Sequence, residues 1–154
     1  MNFKNVSATL LFTGLVLIQS TALAEMVSIR GDDINMRSGP GTKYEVLWKM
    51  GNGFPLEVVQ TSGSWLKVKD FENSVGWVST SVTSKAPYAV VSVNKGKNTL
   101  VNVRSAPNEK SGSVVATAAY GVVFKVLEKK SGWVKVEHAN GVTGWIRGDL
   151  LWGE

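Results

Sequence analysis

Asn35-Met36-Arg37-Ser38-Gly39-Pro40 comes back 67 residues later as Asn102-Val103-Arg104-Ser105-Ala106-Pro107. Further along, Trp65-Leu66-Lys67-Val68 and Gly76-Trp77-Val78 return after 68 residues as Trp133-Val134-Lys135-Val136 and Gly144-Trp145-Ile146. One residue has been added in the loop after Pro107. A period this long, with several strand-like runs per copy, means two copies of a small domain and not a solenoid. The division falls at Ser84-Lys85-Ala86-Pro87, giving a first unit over residues 25–84 and a second over 88–154. A four-residue linker spans at most about 14 Å. The two units are therefore expected to be close neighbours.

Each copy reads as short strands between turn residues, with no helix-period stretch. In the first copy the runs are 26–30, 34–37, 45–50, 56–60, 65–69 and 76–79. In the second they are 88–93, 100–104, 114–117, 122–128, 133–138 and 144–147. Asn140-Gly141 predicts a type I′ hairpin turn, which needs positive φ at both central residues. Alternation along residues 65–69 puts Leu66 and Val68 on the core face and Trp65, Lys67 and Lys69 on the other. Trp77 and Trp145 follow a glycine and are expected in the core, as a large apolar ring in a small domain usually is. The fold class is all-β: two small, partly open β-barrels in tandem.

Residues 1–24 read as a signal peptide. Lys4 begins it, residues 10–18 are apolar, and Ala22-Leu23-Ala24 is a small-x-small cleavage site that leaves Glu25 first. The apolar stretch falls short of the roughly 20 residues a spanning helix needs, so no stable membrane insertion is expected after cleavage. An uncleaved anchor is the alternative. The chain has no cysteine, which excludes disulfides and a thiol nucleophile. Residues 25–86 are neutral, with seven Lys/Arg against seven Asp/Glu. Residues 87–154 carry nine against five. That excess suits attraction to an anionic surface. The basic residues are too scattered for nucleic acid, which is not expected as a partner.

Asn35 to Tyr44, Trp65 to Val68 and Gly76 to Val78, in that order and repeated, resemble the bacterial SH3-like (SH3b) domain. The second copy matches through Asn102 to Pro107, Gly121, Gly132 to Val136 and Gly144 to Ile146. Together the matches cover nearly the whole chain after residue 24. The resemblance implies SH3-like barrels and non-catalytic binding at the cell envelope, often to peptidoglycan and often beside or within wall hydrolases. The protein is then expected in the periplasm or secreted, bound to peptidoglycan through stem peptide or glycan. An adaptor or regulator of an envelope enzyme such as a wall hydrolase is the alternative.

Candidate ligand-binding residues follow from the chemistry of the first copy. Pro40 fixes φ, and Gly39 and Gly41 open backbone shapes closed to other residues, so Ser38 to Thr42 is a sharply shaped loop. Arg37 and Arg104 are expected to pin their loops through backbone carbonyls or a nearby carboxylate. Tyr44, Trp48 and Trp65 offer aromatic area beside that loop. The candidate site is Ser38, Gly39, Pro40, Tyr44, Trp48 and Trp65. Trp48 has a second reading, as a contact with the second domain. No catalytic residue, cofactor or metal is expected. His138 is the only histidine. No nucleophile-elbow spacing appears, and Asp32-Asp33 reads as a solvated turn after Gly31.

Overall fold

The computed structural model describes residues 24–154. The signal-peptide expectation lies outside them. The first repeat contains β1 (Glu25–Ile29), β2 (Ile34–Arg37), β3 (Val46–Met50), β4 (Pro55–Ser62), β5 (Trp65–Lys69), β6 (Val75–Ser79) and β7 (Thr83–Ser84). The second contains β8 (Tyr88–Val91), β9 (Val101–Arg104), β10 (Val114–Ala118), β11 (Val123–Lys130), β12 (Trp133–Glu137), β13 (Thr143–Arg147) and β14 (Leu151–Trp152). One 3₁₀ turn precedes the last strand of each repeat, at Thr80–Val82 and Gly148–Leu150.

Each repeat is one seven-stranded sheet, in the orders β3-β2-β6-β5-β4-β1-β7 and β10-β9-β13-β12-β11-β8-β14. The two orders are the same order written twice, and the strands pair antiparallel throughout. The hydrogen-bonded ladder does not close on itself. β3 and β10 remain open edges, so each unit is a curled sheet and not a closed barrel.

The alternation expected along β5 holds. Leu66 and Val68 are buried with Ile29, Met36, Leu56 and Val78 in the first core. Val134, Val136, Phe124 and Ile146 sit in the second. Leu56 and Phe124 occupy the same repeat position, so the second core holds a ring where the first holds an aliphatic chain.

The glycine before each tryptophan has a reason that the sequence did not show. A Cβ on Gly76 would lie 2.5 Å from the Met36 side chain, and one on Gly144 would lie 2.6 Å from Val103 Cγ1 and 2.9 Å from the Arg104 carbonyl. The glycine faces the core, so the residue after it faces out. Trp77 and Trp145 therefore leave the sheet on the side away from the aliphatic core clusters; the core placement expected for Trp77 is not met, while Trp145 is buried as expected but outside its cluster. Trp77 pairs across the sheet with Arg37 and Lys67, and Trp145 with Arg104 and Lys135. Trp145 is nevertheless buried, at 8% exposure, while Trp77 is half-buried.

The Asn140-Gly141 expectation also needs correction. Only Gly141 has positive φ there, and its N–H bonds to the His138 carbonyl at 2.8 Å, with His138 N–H on Val142 O at 2.9 Å. That is a tighter turn followed by a left-handed glycine, the longer hairpin form. Positive φ at two successive turn residues occurs instead at Ser131 and Gly132, between β11 and β12.

Candidate functional site

Arg37 does pin its loop. Its Nη1 donates to the carbonyls of Thr42 and Tyr44 at 3.0 and 2.9 Å. Arg104 does the same for the second loop, donating to Gly112 O at 2.9 Å and Glu109 O at 3.4 Å. The fillings of the two loops differ. In the first, the Tyr44 ring lies on Gly39, where an added Cβ would fall 2.5 Å from the ring. Neither Gly39 nor Gly41 has positive φ. The glycine is needed for ring contact, not for an unusual backbone. In the second loop Gly112 packs on backbone, with Ala106 O and Asn108 O both 2.7 Å from the added Cβ.

Ser38, Gly39, Pro40 and Tyr44 are thus brought together as one structured rim. Trp65 is half-buried on the outer face, opposite Ser79 in register and two residues along from Lys67, which pairs with Trp77. Arg37 stands on that face too, so Trp65, Trp77 and the base of the rim share it. Trp48 does not join them. It pairs with Met36, a core residue, so it leaves β3 on the opposite side of the sheet. It is 57% exposed and lines a separate hollow of about 240 Å³ with Met50, Phe54 and Phe71. Asn35 is two residues from Arg37 on the outer face. Its Oδ1 is buried without a hydrogen-bond partner among the described residues.

A larger, open hollow is in the second repeat, where the sequence pointed less strongly. A hollow of about 670 Å³ is lined by Pro107, Trp133, Arg147, Asp149 and Glu154 among others. Pro107 and Trp133 are the counterparts of Pro40 and Trp65. Arg147 Nε and Nη2 donate to Asp149 at 3.0 and 2.5 Å, and Nη1 donates to Glu109 at 3.2 Å. These bonds hold the Asp149 carboxyl below its usual range and raise the Arg147 guanidinium. A smaller hollow of about 180 Å³ shares Glu109, Trp133 and Arg147 with this one. The signal that could have found this groove is a substitution. Arg147-Gly148-Asp149 stands where the first repeat has Ser79-Thr80-Ser81, in which the Ser79 and Ser81 hydroxyls bond each other at 2.8 Å and Ser79 Oγ also accepts from Ser81 N–H at 3.3 Å.

The repeats also touch. Phe71 stacks on Tyr120 with centroids 5.2 Å apart, and Phe54 lies 6.0 Å from Phe71. Tyr120 donates its hydroxyl to Glu72 at 2.5 Å, and Lys95 reaches the same carboxylate at 2.9 Å. Desolvation, then the Glu72 bond, push the Tyr120 hydroxyl up to about 12. The bonds from Tyr120 and Lys95 lower Glu72. The second-domain contact considered for Trp48 is made by Phe71 instead. Among the described residues, no helix is long and apolar enough to cross a membrane, and no group of three His, Asp or Glu is placed to hold a metal ion.

The family model for the bacterial SH3 domain matches the chain twice, over residues 30–85 and 97–153. The chain is 27% identical over 137 residues to YrvJ of Bacillus subtilis (strain 168), a protein named as an N-acetylmuramoyl-L-alanine amidase. That match takes in 85% of this chain but 26% of the relative, so the chain spans about a quarter of the relative's length. Among solved structures, NlpC2 from Trichomonas vaginalis aligns at TM-score 0.38 and 11% identity, over 86% of this chain and 49% of the other. NlpC1 from the same organism aligns at 0.35 and 14%, over 92% and 51%. Likenesses that low place no constraint on this chain.

Proposed function

The chain belongs to the bacterial SH3 domain family, twice over, and from that premise we propose that it is an exported, non-catalytic binding protein of the cell envelope whose ligand is peptidoglycan. The observation that carries the reading is a surface repeated in both halves. An arginine-pinned, proline-containing loop stands beside half-buried tryptophans on the outer face, Trp65 and Trp77 in one repeat and Trp133 in the other, where Trp145 lies buried beneath that face. Flat aromatic area with fixed polar neighbours suits sugar rings and short peptides, because the rings lose little entropy on binding. A match to part of an amidase-named relative is in keeping with a wall ligand, but the relative's activity is not carried over.

The test is co-sedimentation with purified peptidoglycan. Wild-type protein is expected in the pellet. The double variant Trp65→Ala/Trp133→Ala is expected in the supernatant with secondary structure retained. An adaptor role draws on a different observation, the exposed Val46, Leu47 and Trp48 on the open edge strand β3. Wild-type protein that stays in the supernatant at low salt, and instead captures one envelope protein, decides for the adaptor.

A further inference from the structure

The junction between the repeats holds a second hollow, of about 530 Å³, lined by Asn52, Tyr88, Val122, Val123, Lys125, Glu137, His138 and Ala139. Its floor is set by register. Lys125 on β11 pairs with Tyr88 on β8 and with Glu137 on β12, so the three side chains form one row on the outer face. Val123, two residues before Lys125, shares that face. The first repeat closes one side. The Tyr88 ring sits against Gly53, where an added Cβ would lie 2.4 Å from it, and Gly153 packs on Pro55. Val90 is fully buried yet lies outside the second core, on this same covered face. The ring of Tyr88 is thereby fixed, and Asn52 stands beside it at the rim.

The corresponding row in the first repeat is Met26, Glu57 and Lys69. There the two charges close on each other, Lys69 Nζ lying 2.8 Å from Glu57. In the second repeat the same two positions carry the opposite charges, Lys125 and Glu137. Among the described residues neither has an ion-pair partner within 4.0 Å, although they stand directly opposite across the ladder. One pair of positions is thus bridged in one repeat and apart in the other, and the open pair is the one at a cleft.

We propose that this cleft binds a small zwitterion, an amino acid or a short peptide with both ends free. Its carboxylate goes to the Lys125 ammonium and its ammonium to the Glu137 carboxylate. Its apolar portion lies over Val122 and Val123 against the Tyr88 ring. A cleft between domains, of this size and with a few convergent polar groups on an apolar lining, is a usual form for a small-molecule site. Charge-assisted hydrogen bonds at both ends give the orientation. This site lies on the same outer face as Trp133 but shares no lining residue with the groove around it, and it does not depend on a wall ligand.

Titration of the ¹⁵N-labelled protein with alanine, Ala-Ala and Ala-Ala-Ala tests it. Saturable amide shifts are expected at residue 52, residues 122–125 and residues 137–139. The tightest of the three probes identifies a free amino acid or a peptide as the source. N-acetyl-alanine and alaninamide, each lacking one charge, are expected to bind about tenfold or more weakly. Lys125→Met and Glu137→Gln are both expected to bind the zwitterions weakly while melting like wild type. No shift with any of the three probes overturns the proposal. So does equal binding of the capped probes, or unchanged binding by both variants. Failure of peptidoglycan co-sedimentation leaves this test intact, because the variants and the lining residues differ.

Discussion

The two repeats share one strand order, one loop-pinning arginine and one glycine-tryptophan step, yet they have spent their variable positions differently. The first fills its loop with the Tyr44 ring and bridges Glu57 to Lys69. The second leaves its loop backbone-packed, opens a groove around Trp133 and holds Lys125 and Glu137 apart. The difference separates two kinds of position. Residues facing the core are restricted by burial to apolar side chains in both halves, though not to one shape, as Leu56 against Phe124 and Met36 against Val103 show. Residues on the outer face have no such restriction, and there the halves diverge in charge and in concavity.

The largest effects should come from the paired core position. Leu56→Ala and Phe124→Ala each remove a buried side chain, at about 2–5 and 3–5 kcal/mol respectively. That is comparable to the whole stability of a unit of this size. Each variant should melt its own repeat first, read by the heat capacity trace of the full chain. Equal and small losses in both would mean that the cores are not where stability resides.

The glycine step offers a finer comparison. Gly76→Ala meets only the Met36 side chain, from Cγ at 2.5 Å to Cε at 3.0 Å, whereas Gly144→Ala meets Val103 and the carbonyl of Arg104. Overpacking costs about 1–3 kcal/mol, and rigid backbone cannot yield as a methionine can. Gly144→Ala should therefore lower the melting temperature more than Gly76→Ala. The reverse order would show that Met36 is the more tightly held neighbour.

The smallest effect concerns the contact that joins the halves. Glu72 has its pKa lowered, so its contribution is full above the unfolded carboxylate range and is lost as pH falls through the lowered folded value. Tyr120 has its pKa raised to about 12, so its contribution is full below the ordinary tyrosine value and is lost as pH rises through 12. The contact is therefore at full strength around neutrality. Tyr120→Phe should lower the melting temperature slightly near neutral pH, and the gap to wild type should narrow in acid. Because these groups are exposed, solvent and salt screen the effect. A gap that stays constant into acid would mean that the aromatic stacking of Phe71 on Tyr120 is the whole of the contact.

Repetition was the legible part of this chain, and it was legible because packing restricts core positions. Leu66, Val68, Val134 and Val136 announced their face by alternation, and all four are buried. Arg37 and Arg104 announced themselves by recurring while their loops changed. Of the candidate site, Ser38, Gly39, Pro40 and Tyr44 meet as the sequence suggests. Trp65 shares their face, but Trp48 does not, because register puts it on the opposite side of the sheet. Hydrophobicity alone sent Trp77 and Trp145 to the core. The approach of Met36 and Val103 to the preceding glycines turns both off the aliphatic clusters, which leaves Trp77 half-buried and Trp145 buried all the same.

The sequence by itself determined the two-unit plan, the all-β class and the identity of the core face, since each rests on local period and on recurrence along the chain. The tertiary structure alone decided which tryptophans share a surface, that the larger hollow belongs to the second repeat, and that Tyr88, Lys125 and Glu137 form a row beside Asn52. Those facts depend on strand register and on the seat of one repeat against the other. A one-residue slip in register would exchange the faces, and no local pattern encodes the neighbour across a ladder.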